Sequence, residues 1–174
     1  RSVQTFVDAV RAEPGDELIE QRLSVESVVP GSFGTLDAAK LRPGCGSIVE
    51  FKHGEGVQKF AEGNEQLLGQ ALGVILEYDY LYGFEEFKLA ISQPRLKHYD
   101  AWVCGKSDVL WWADTVLVPA IEQAYSPSPV FKPGSWCQFC KYRGLCPVRE
   151  APRSYGRAPL RAEDEFTNLD AIGR

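Results

Sequence analysis

The chain has 174 residues, of which 44% are apolar and 25% charged, and its formal net charge is −5 at pH 7. This length and composition fit one globular domain with a sizeable core and exclude a disordered chain, while the net charge excludes a uniformly basic nucleic-acid coat. No apolar run approaches the ~20 residues of a membrane span, and the opening RSVQTFVDAV lacks the apolar core of a signal peptide, so we expect a cytoplasmic protein without membrane contact. The chain starts with Arg1 and contains no Met, so we expect it to start inside a longer gene product or after a removed segment.

The hydrophobic pattern of the first third of the chain predicts one helix followed by three strands. Apolar residues at helical spacing predict the helix over 2–12, and alternation predicts a strand over 17–29 that ends at the turn signal Pro30-Gly31. Two further strands are predicted over 31–41 and 46–54. The sequence RPGCG between them predicts that they fold back on each other as a hairpin.

The remaining elements alternate between helix and strand. Asn64 is the predicted N-cap of a helix over 65–82, which follows a glycine-rich loop. A strand ending at Pro94 and an extended piece over 97–105 come next, and a helix over 106–124 is expected to kink at Pro119. Together these elements predict an α/β fold, with a central mixed sheet of four to five strands flanked by helices in the order αβββαβ.

Two acids and a lysine meet on the predicted hairpin. Asp37 lies in its first strand, and Glu50 and Lys52 share one face of the second. The two carboxylates and the main-chain carbonyl of Phe51 are oxygen ligands of the kind that Mg²⁺ or Mn²⁺ prefers, and Lys52 would orient or help to deprotonate an attacking water. The alternative is a cross-strand salt bridge at a sheet edge, without a metal.

Three of the five cysteines form the pattern C-x2-C-x5-C at Cys137, Cys140 and Cys146. In a reducing compartment this spacing favours a metal or a cluster over disulfides, and both zinc and Fe–S clusters usually take four ligands. The alternatives are an Fe–S cluster, zinc, or three reduced thiols without a metal. The candidates for a fourth ligand are Cys104, Cys45, His98 and His53. Of the two cysteines, Cys104 is the better candidate.

Basic residues concentrate near the C-terminus. Seven Lys or Arg residues and a single acid, Glu150, occur between positions 132 and 161. Positive charge of this kind gives sequence-independent affinity for DNA phosphates, which falls as salt rises. The residues predicted to bind DNA are Lys132, Lys141, Arg143 and Arg149.

Five segments in order, GTLDAAK, EFKHGEGV, AEGNEQLLGQALG, ISQPRL and WCQFCKYRGLC, resemble the PD-(D/E)XK nuclease superfamily, and specifically a RecB-like group of phage and prophage exonucleases. The resemblance implies that Asp37 and Glu50 are metal ligands and that Lys52 is the catalytic lysine. It also matches Gln66 to the glutamine of a Q-x3-Y motif, in which Gln70 stands where tyrosine is usual. The further acidic or histidine ligand of that family, which precedes the first strand, has no match in this chain.

The resemblance covers the chain from about Leu18 to Pro147 and implies a restriction-endonuclease-like nuclease core over 1–131, a cysteine-bearing segment over 132–150 packed on that core, and a loosely held tail over 151–174. The cysteine pattern is similar to that of iron-staple nucleases of the AddB type, which implies a [4Fe-4S] cluster, with zinc as the alternative.

The implied function is a Mg²⁺- or Mn²⁺-dependent DNA exonuclease of phage recombination or DNA processing, in the cytoplasm of a bacterial host. A single-strand annealing protein or a helicase is the expected partner. The rival interpretations are a catalytically inactive nuclease fold that binds DNA or has a structural role, and a zinc-binding structural protein.

Overall fold

A computed structural model describes residues 2–148 of the chain. The chain divides into two compact units, one that runs to Tyr125 and one that starts at Ser126. The first unit contains a five-stranded sheet in the order β1-β2-β3-β4-β5, in which only the β3–β4 pair is parallel. The predicted α/β class, with a mixed sheet flanked by helices, is confirmed.

The helices and strands of the first unit follow the predicted order. The helices are α1 (Ser2–Arg11), α2 (Glu65–Tyr82), α3 (Lys106–Trp112) and α4 (Val118–Ala124). The strands are β1 (Asp16–Ser24), β2 (Phe33–Arg42), β3 (Cys45–Phe51), β4 (Glu86–Gln93) and β5 (His98–Gly105).

The predicted hairpin is confirmed as β2 and β3. Arg42 pairs with Cys45, so the turn consists of Pro43 and Gly44, and Gly44 takes the positive φ of 79° that glycine tolerates best. Because β3 and β4 run parallel, the chain must cross over between them, and helix α2 is that crossover. Strand β3 is therefore central and buried along nearly its whole length.

The sheet is covered on both faces. Residues of α2 and α3 pack on one face, around a core that includes Ile48 and Phe87. Helix α1 packs on the other through Val10 and Phe6, against a smaller cluster that includes Val49. The predicted alternation of Ile48 and Glu50 with Val49 and Phe51 along β3 is therefore confirmed.

The strand predicted over 17–29 was too long at its C-terminal end. Strand β1 ends at Ser24, and the next residues form turns in which the Val28 and Val29 amides both donate to the Val25 carbonyl. The Val25 amide donates in turn to the Ser32 carbonyl. The valines of this segment have high strand propensity, but these local hydrogen bonds already use their backbone groups, which then cannot join the ladder.

The helix predicted over 106–124 is divided by a π-helical turn that ends just before Pro119. A π-helical turn, Ala113–Leu117, separates α3 from α4, and the Val118 amide donates to the Ala113 carbonyl five residues back. Proline has no amide to donate and its ring crowds the carbonyl four residues earlier. The wider turn places Pro119 in the first turn of α4, where no such bond is needed.

The described part of the second unit, 126–148, contains two short 3₁₀ helices, Ser135–Phe139 and Lys141–Gly144. The predicted packing of segment 132–150 on the nuclease core stays a prediction, and the predicted tail over 151–174 lies outside the described residues. Within residues 2–148, no helix combines the length and the apolar character needed to cross a membrane.

Candidate active site

The two predicted carboxylates lie side by side on neighbouring strands. Ala38 of β2 pairs with Val49 of β3, and one further step along the same antiparallel register puts Asp37 opposite Glu50. Glu50 is only 5% exposed, whereas Asp37 is half-buried. Burying a carboxylate costs free energy unless its oxygens accept hydrogen bonds or bind a cation. The partners of the Glu50 oxygens therefore show what stabilises its charge.

Three side chains converge on the Glu50 carboxylate. Lys52 Nζ and Gln66 Nε2 both donate to Glu50 Oε1, each at 2.6 Å. Gln70 Nε2 donates to the other oxygen, Oε2, at 2.8 Å. Two of these three donors come from one face of α2, at positions separated by one helical turn.

Lys52 is held by more than its ion pair with Glu50. Its Nζ also donates to Gln66 Oε1 at 2.6 Å, and its backbone amide donates to the Ser92 carbonyl of β4 at 2.9 Å. The two side-chain bonds use two of the three hydrogens on Nζ, which leaves one for a further acceptor. Lys52 therefore lies at a defined position beside the carboxylates, although it is two residues from Glu50 in the sequence.

Asp37 is held against β3 by the Phe51 amide, which donates to Asp37 Oδ2 at 2.7 Å. Burial raises the pKa of Asp37, and the negative charges of Glu50 and Glu20 raise it further, against the opposing effects of the Phe51 amide and of Lys52. An excess of negative charge around Asp37 is a physical reason for a cation to bind there.

The start of helix α2 brings both glutamines to the carboxylates. The Asn64 side chain caps the helix by accepting from the Gln66 and Leu67 amides, as predicted, and the positive end of the helix dipole favours carboxylates near the first turn. The loop before it is anchored by Gln93, whose side chain accepts from the Lys59 amide and donates to the Val57 carbonyl.

The donor set has the chemistry that Mg²⁺ or Mn²⁺ requires, since all its ligands are oxygen atoms and water completes their coordination. A second observation also fits a cation: Gln70 Oε1, beside Glu50, is buried and has no hydrogen-bond partner within the described residues. No ready-made group of three or more His, Cys, Asp or Glu side chains occurs in residues 2–148. A metal here would therefore bind the two carboxylates and neutral oxygens, such as the predicted Phe51 carbonyl.

Comparison with known families places most of the chain in a family without an assigned function. The model of a family described as "Protein of unknown function (DUF2800)" matches residues 3–163, which is most of the chain. The chain belongs to this family. Among solved structures, it is similar to one described as "Crystal structure of SSO0001", with 15% sequence identity and a TM-score of 0.37. The match covers 84% of this chain and 65% of that one, so the chain spans less than two thirds of that protein's length, and a TM-score of this size does not assign a fold.

The three clustered cysteines of this family member are free thiols. Cys137 and Cys146 are half-buried and Cys140 is exposed. Cys137 Sγ accepts a hydrogen bond from the Gly134 amide at 3.3 Å, and the Cys140 amide donates to the Cys137 carbonyl. The three thiols stay candidate ligands for a cluster or zinc.

The candidates for a fourth ligand have other partners. Cys45 is the first residue of β3 and Cys104 lies near the end of β5, and both are buried. Burial raises the pKa of both thiols, to about 11 for Cys104. A raised pKa disfavours the thiolate that binds metals. The ring of His98 contacts the Gln58 side chain and the Lys59 carbonyl, each at 2.8 Å, and His53 is exposed.

Two of the three predicted DNA-binding residues that the structure describes are exposed. Lys132 and Lys141 are exposed and Arg143 is half-buried. Arg149 lies outside the described residues. The prediction of a phosphate-binding surface therefore rests on their charge and accessibility.

Sequence reasoning missed the role of one residue at this site. The sequence marks Gln70 as a departure from the motif, but in the structure it is 5% exposed and bonded to Glu50. The one-turn spacing of Gln66 and Gln70 is the signal that the sequence offers for it. Glu20 is an exposed residue of β1 with a positive φ of 48°, and the β1–β2 register brings it opposite Asp37, whose pKa its charge raises.

Proposed function

We propose that the chain is a Mg²⁺- or Mn²⁺-dependent deoxyribonuclease with a PD-(D/E)XK core of the RecB-like branch, acting as an exonuclease in phage recombination or DNA processing. The observation that carries the proposal is the convergence of Asp37, Glu50 and Lys52 on two adjacent strands, with Lys52 Nζ 2.6 Å from Glu50 Oε1. The element order αβββαβ that precedes β5 supports the same core.

An ordinary ion pair at a sheet edge does not account for this arrangement. Such a pair exists on the same sheet, between Lys40 and Glu17 at 2.9 Å, and there the glutamate side chain is 45% exposed. The Glu50 side chain is 6% exposed, and a second carboxylate, Asp37, lies beside it. One lysine does not neutralise two neighbouring carboxylates, so the arrangement destabilises the fold when it is empty. A divalent cation bound to both carboxylates would neutralise them.

Each side chain of the site has a role in phosphodiester hydrolysis. A bound divalent metal would polarise the phosphate and lower the pKa of a water. Asp37 and Glu50 would hold it, with the Phe51 carbonyl as a neutral ligand. Lys52 keeps one Nζ hydrogen for a phosphate oxygen or for the attacking water, and neutralises charge that develops in the transition state. Gln66 holds Lys52 and Glu50 together through the two ends of one amide.

The substrate and the partners follow from charge and from the resemblance. Lys132, Lys141, Arg143 and Arg149 would supply phosphate contacts whose affinity falls with salt. A [4Fe-4S] cluster, or alternatively zinc, would bind Cys137, Cys140 and Cys146. An annealing protein or a helicase would deliver the DNA, in the cytoplasm of a bacterial host.

The test is Mg²⁺- or Mn²⁺-dependent degradation of linear DNA by the full chain, with Lys52→Ala and Lys106→Ala as a matched pair. Both lysines form an ion pair with a carboxylate, and their side chains are 31% and 30% exposed. Lys106 follows β5 at the opposite end of β4 from Ser92, so it lies away from the site. We expect a loss of about 10²–10⁴-fold for Lys52→Ala and no more than about a twofold change for Lys106→Ala.

Asp37→Asn completes the test, because it keeps an acceptor for the Phe51 amide and removes only the charge. Equal activity of Lys52→Ala and Lys106→Ala would refute the site assignment. DNA binding without metal-dependent cleavage in the wild type would favour the inactive nuclease fold instead. The third interpretation, a zinc-binding structural protein, would be favoured by two results together. The purified protein would contain zinc, and no cleavage activity would depend on Glu50.

A further inference from the structure

Gln70 is a buried polar side chain at the site, and one of its two polar atoms has no hydrogen-bond partner within the described residues. It is 5% exposed, on the face of α2 that packs on the sheet, and its Oε1 has no partner within the described residues. A buried acceptor without a donor is unfavourable, and such groups are rare enough in folded proteins that each needs a cause. A leucine at this position would avoid the cost, so the glutamine points to a requirement other than packing.

The orientation of the Gln70 amide is determined by its neighbours. Nε2 donates to Glu50 Oε2 at 2.8 Å and to the Thr35 carbonyl at 3.2 Å, so both amide hydrogens are used. The flipped amide would direct its oxygen at these two acceptors and lose both bonds. The atom without a partner is therefore the carbonyl oxygen, which needs a donor or a cation.

The remaining lone pair of Glu50 lies on the same oxygen that Gln70 contacts. Oε1 already accepts from Lys52 and Gln66, whereas Oε2 accepts from Gln70 alone. A carboxylate oxygen accepts about two such bonds, so a cation at Glu50 would bind through Oε2. A group bound there lies next to Gln70 Oε1, because the amide nitrogen and oxygen share one carbon.

We infer that Gln70 is a positioning residue of the metal site: its Nε2 orients Glu50, and its Oε1 accepts a hydrogen bond from a water on the bound Mg²⁺ or Mn²⁺. Mg²⁺ keeps several of its waters in proteins, and those waters are strong donors. The Gln70 carbonyl oxygen would therefore gain its missing hydrogen bond when the metal and its waters bind. This inference rests on the proposed function, since it needs a cation at Asp37 and Glu50.

The experiment measures Mn²⁺ binding to the full chain by titration calorimetry, without DNA. Gln70→Met keeps the length of the side chain and removes both hydrogen-bonding atoms, and we expect Mn²⁺ to bind about 10–100-fold more weakly, as is usual when a partner of a metal ligand is lost. Gln93→Met is the matched control, because Gln93 is 3% exposed and both ends of its amide are paired. It should lower the melting temperature more than Gln70→Met does and leave Mn²⁺ affinity within twofold.

The outcomes separate the two proposals. Mn²⁺ affinity of Gln70→Met within twofold of the wild type, with binding lost in Asp37→Asn, would overturn the role of Gln70 and leave the metal site standing. No Mn²⁺ binding by the wild type would overturn both. A second measurement needs no variant: in the labelled wild type, Mg²⁺ should shift the side-chain carbonyl ¹³C resonance of Gln70 and not that of Gln93. A shift at Glu50 without one at Gln70 would overturn the inference.

Discussion

Gly73 determines how closely helix α2 approaches strand β1, and its replacement by alanine tests that packing. A Cβ at Gly73 would lie 2.9 Å from Leu23 Cβ and 3.2 Å from Leu23 Cδ1. Carbon atoms in contact prefer about 3.5–4.0 Å. Leu23 is 1% exposed and its Cβ is bonded directly to the strand backbone, so a change of rotamer does not move that atom away. Gly73→Ala therefore has to push the helix and the strand apart.

Gly69, four residues earlier in α2, is the matched control, because a Cβ there meets no atom within 4 Å. In a helix, alanine is about 1 kcal/mol more favourable than glycine, so Gly69→Ala should be stabilising by up to that amount. Gly73→Ala has the same gain, but overpacking costs about 1–3 kcal/mol. The propensity gain cancels between the two variants, so their stabilities should differ by the overpacking cost alone.

Urea unfolding followed by circular dichroism measures that difference, and thermal melts should show about 2–4 °C for each kcal/mol. If both variants gain the same stability, the close approach of α2 to β1 is wrong. The position of α2 on the sheet also matters for the candidate site, because it brings Gln66 and Gln70 within hydrogen-bonding distance of Glu50.

Two further predictions concern Cys104 and Asn64. Burial raises the pKa of Cys104 from 9.0 to about 11, so the folded chain keeps a proton that the unfolded chain loses, and up to about 3 kcal/mol of stability disappears as the pH rises through that range. Melting temperatures between pH 8 and pH 11 should therefore fall less steeply for Cys104→Ala than for the wild type, and parallel curves would contradict this. Asn64→Ala removes the side-chain cap of α2 and should cost about 1 kcal/mol in urea unfolding. Asn64→Asp keeps the acceptor and should cost little, and equal losses in the two variants would rule out the cap as the cause.

The parts of the fold that sequence reasoning predicted well are those set by local physics. Helix α2 begins and ends where the pattern placed it, because the Asn64 cap starts it and Gly83, with a φ of 54°, ends it. The β2–β3 hairpin followed from the Pro43-Gly44 turn, and the register of that turn brought Asp37 next to Glu50. A short connection fixes the pairing of two strands, so this half of the site was predictable from the chain alone.

The parts that were missed depend on contacts between distant segments. The segment from Val25 to Val29 has high strand propensity, but it forms turns instead. Its backbone groups form local hydrogen bonds, and Gly31, with its positive φ, continues the turn. Gln70 reaches Glu50 across 20 positions in sequence, and its burial follows from the crossover of α2 over the sheet. No local pattern encodes this distance, so a sequence reading assigns such a residue to solvent.

Three residues at or beside the candidate site share a feature that bears on function. Glu20 has a backbone conformation that costs energy for a residue with a side chain, Asp37 has a raised pKa, and Gln70 has a buried acceptor without a donor. Each is unfavourable for folding, and all three surround the same buried carboxylate or its neighbour. In the rest of the first unit, buried polar groups such as Gln93 are paired at both ends. Within the described residues, the buried side-chain atom without a hydrogen-bond partner lies on the residue that contacts Glu50, where we propose a cation, and the waters of a bound cation would supply the missing donor.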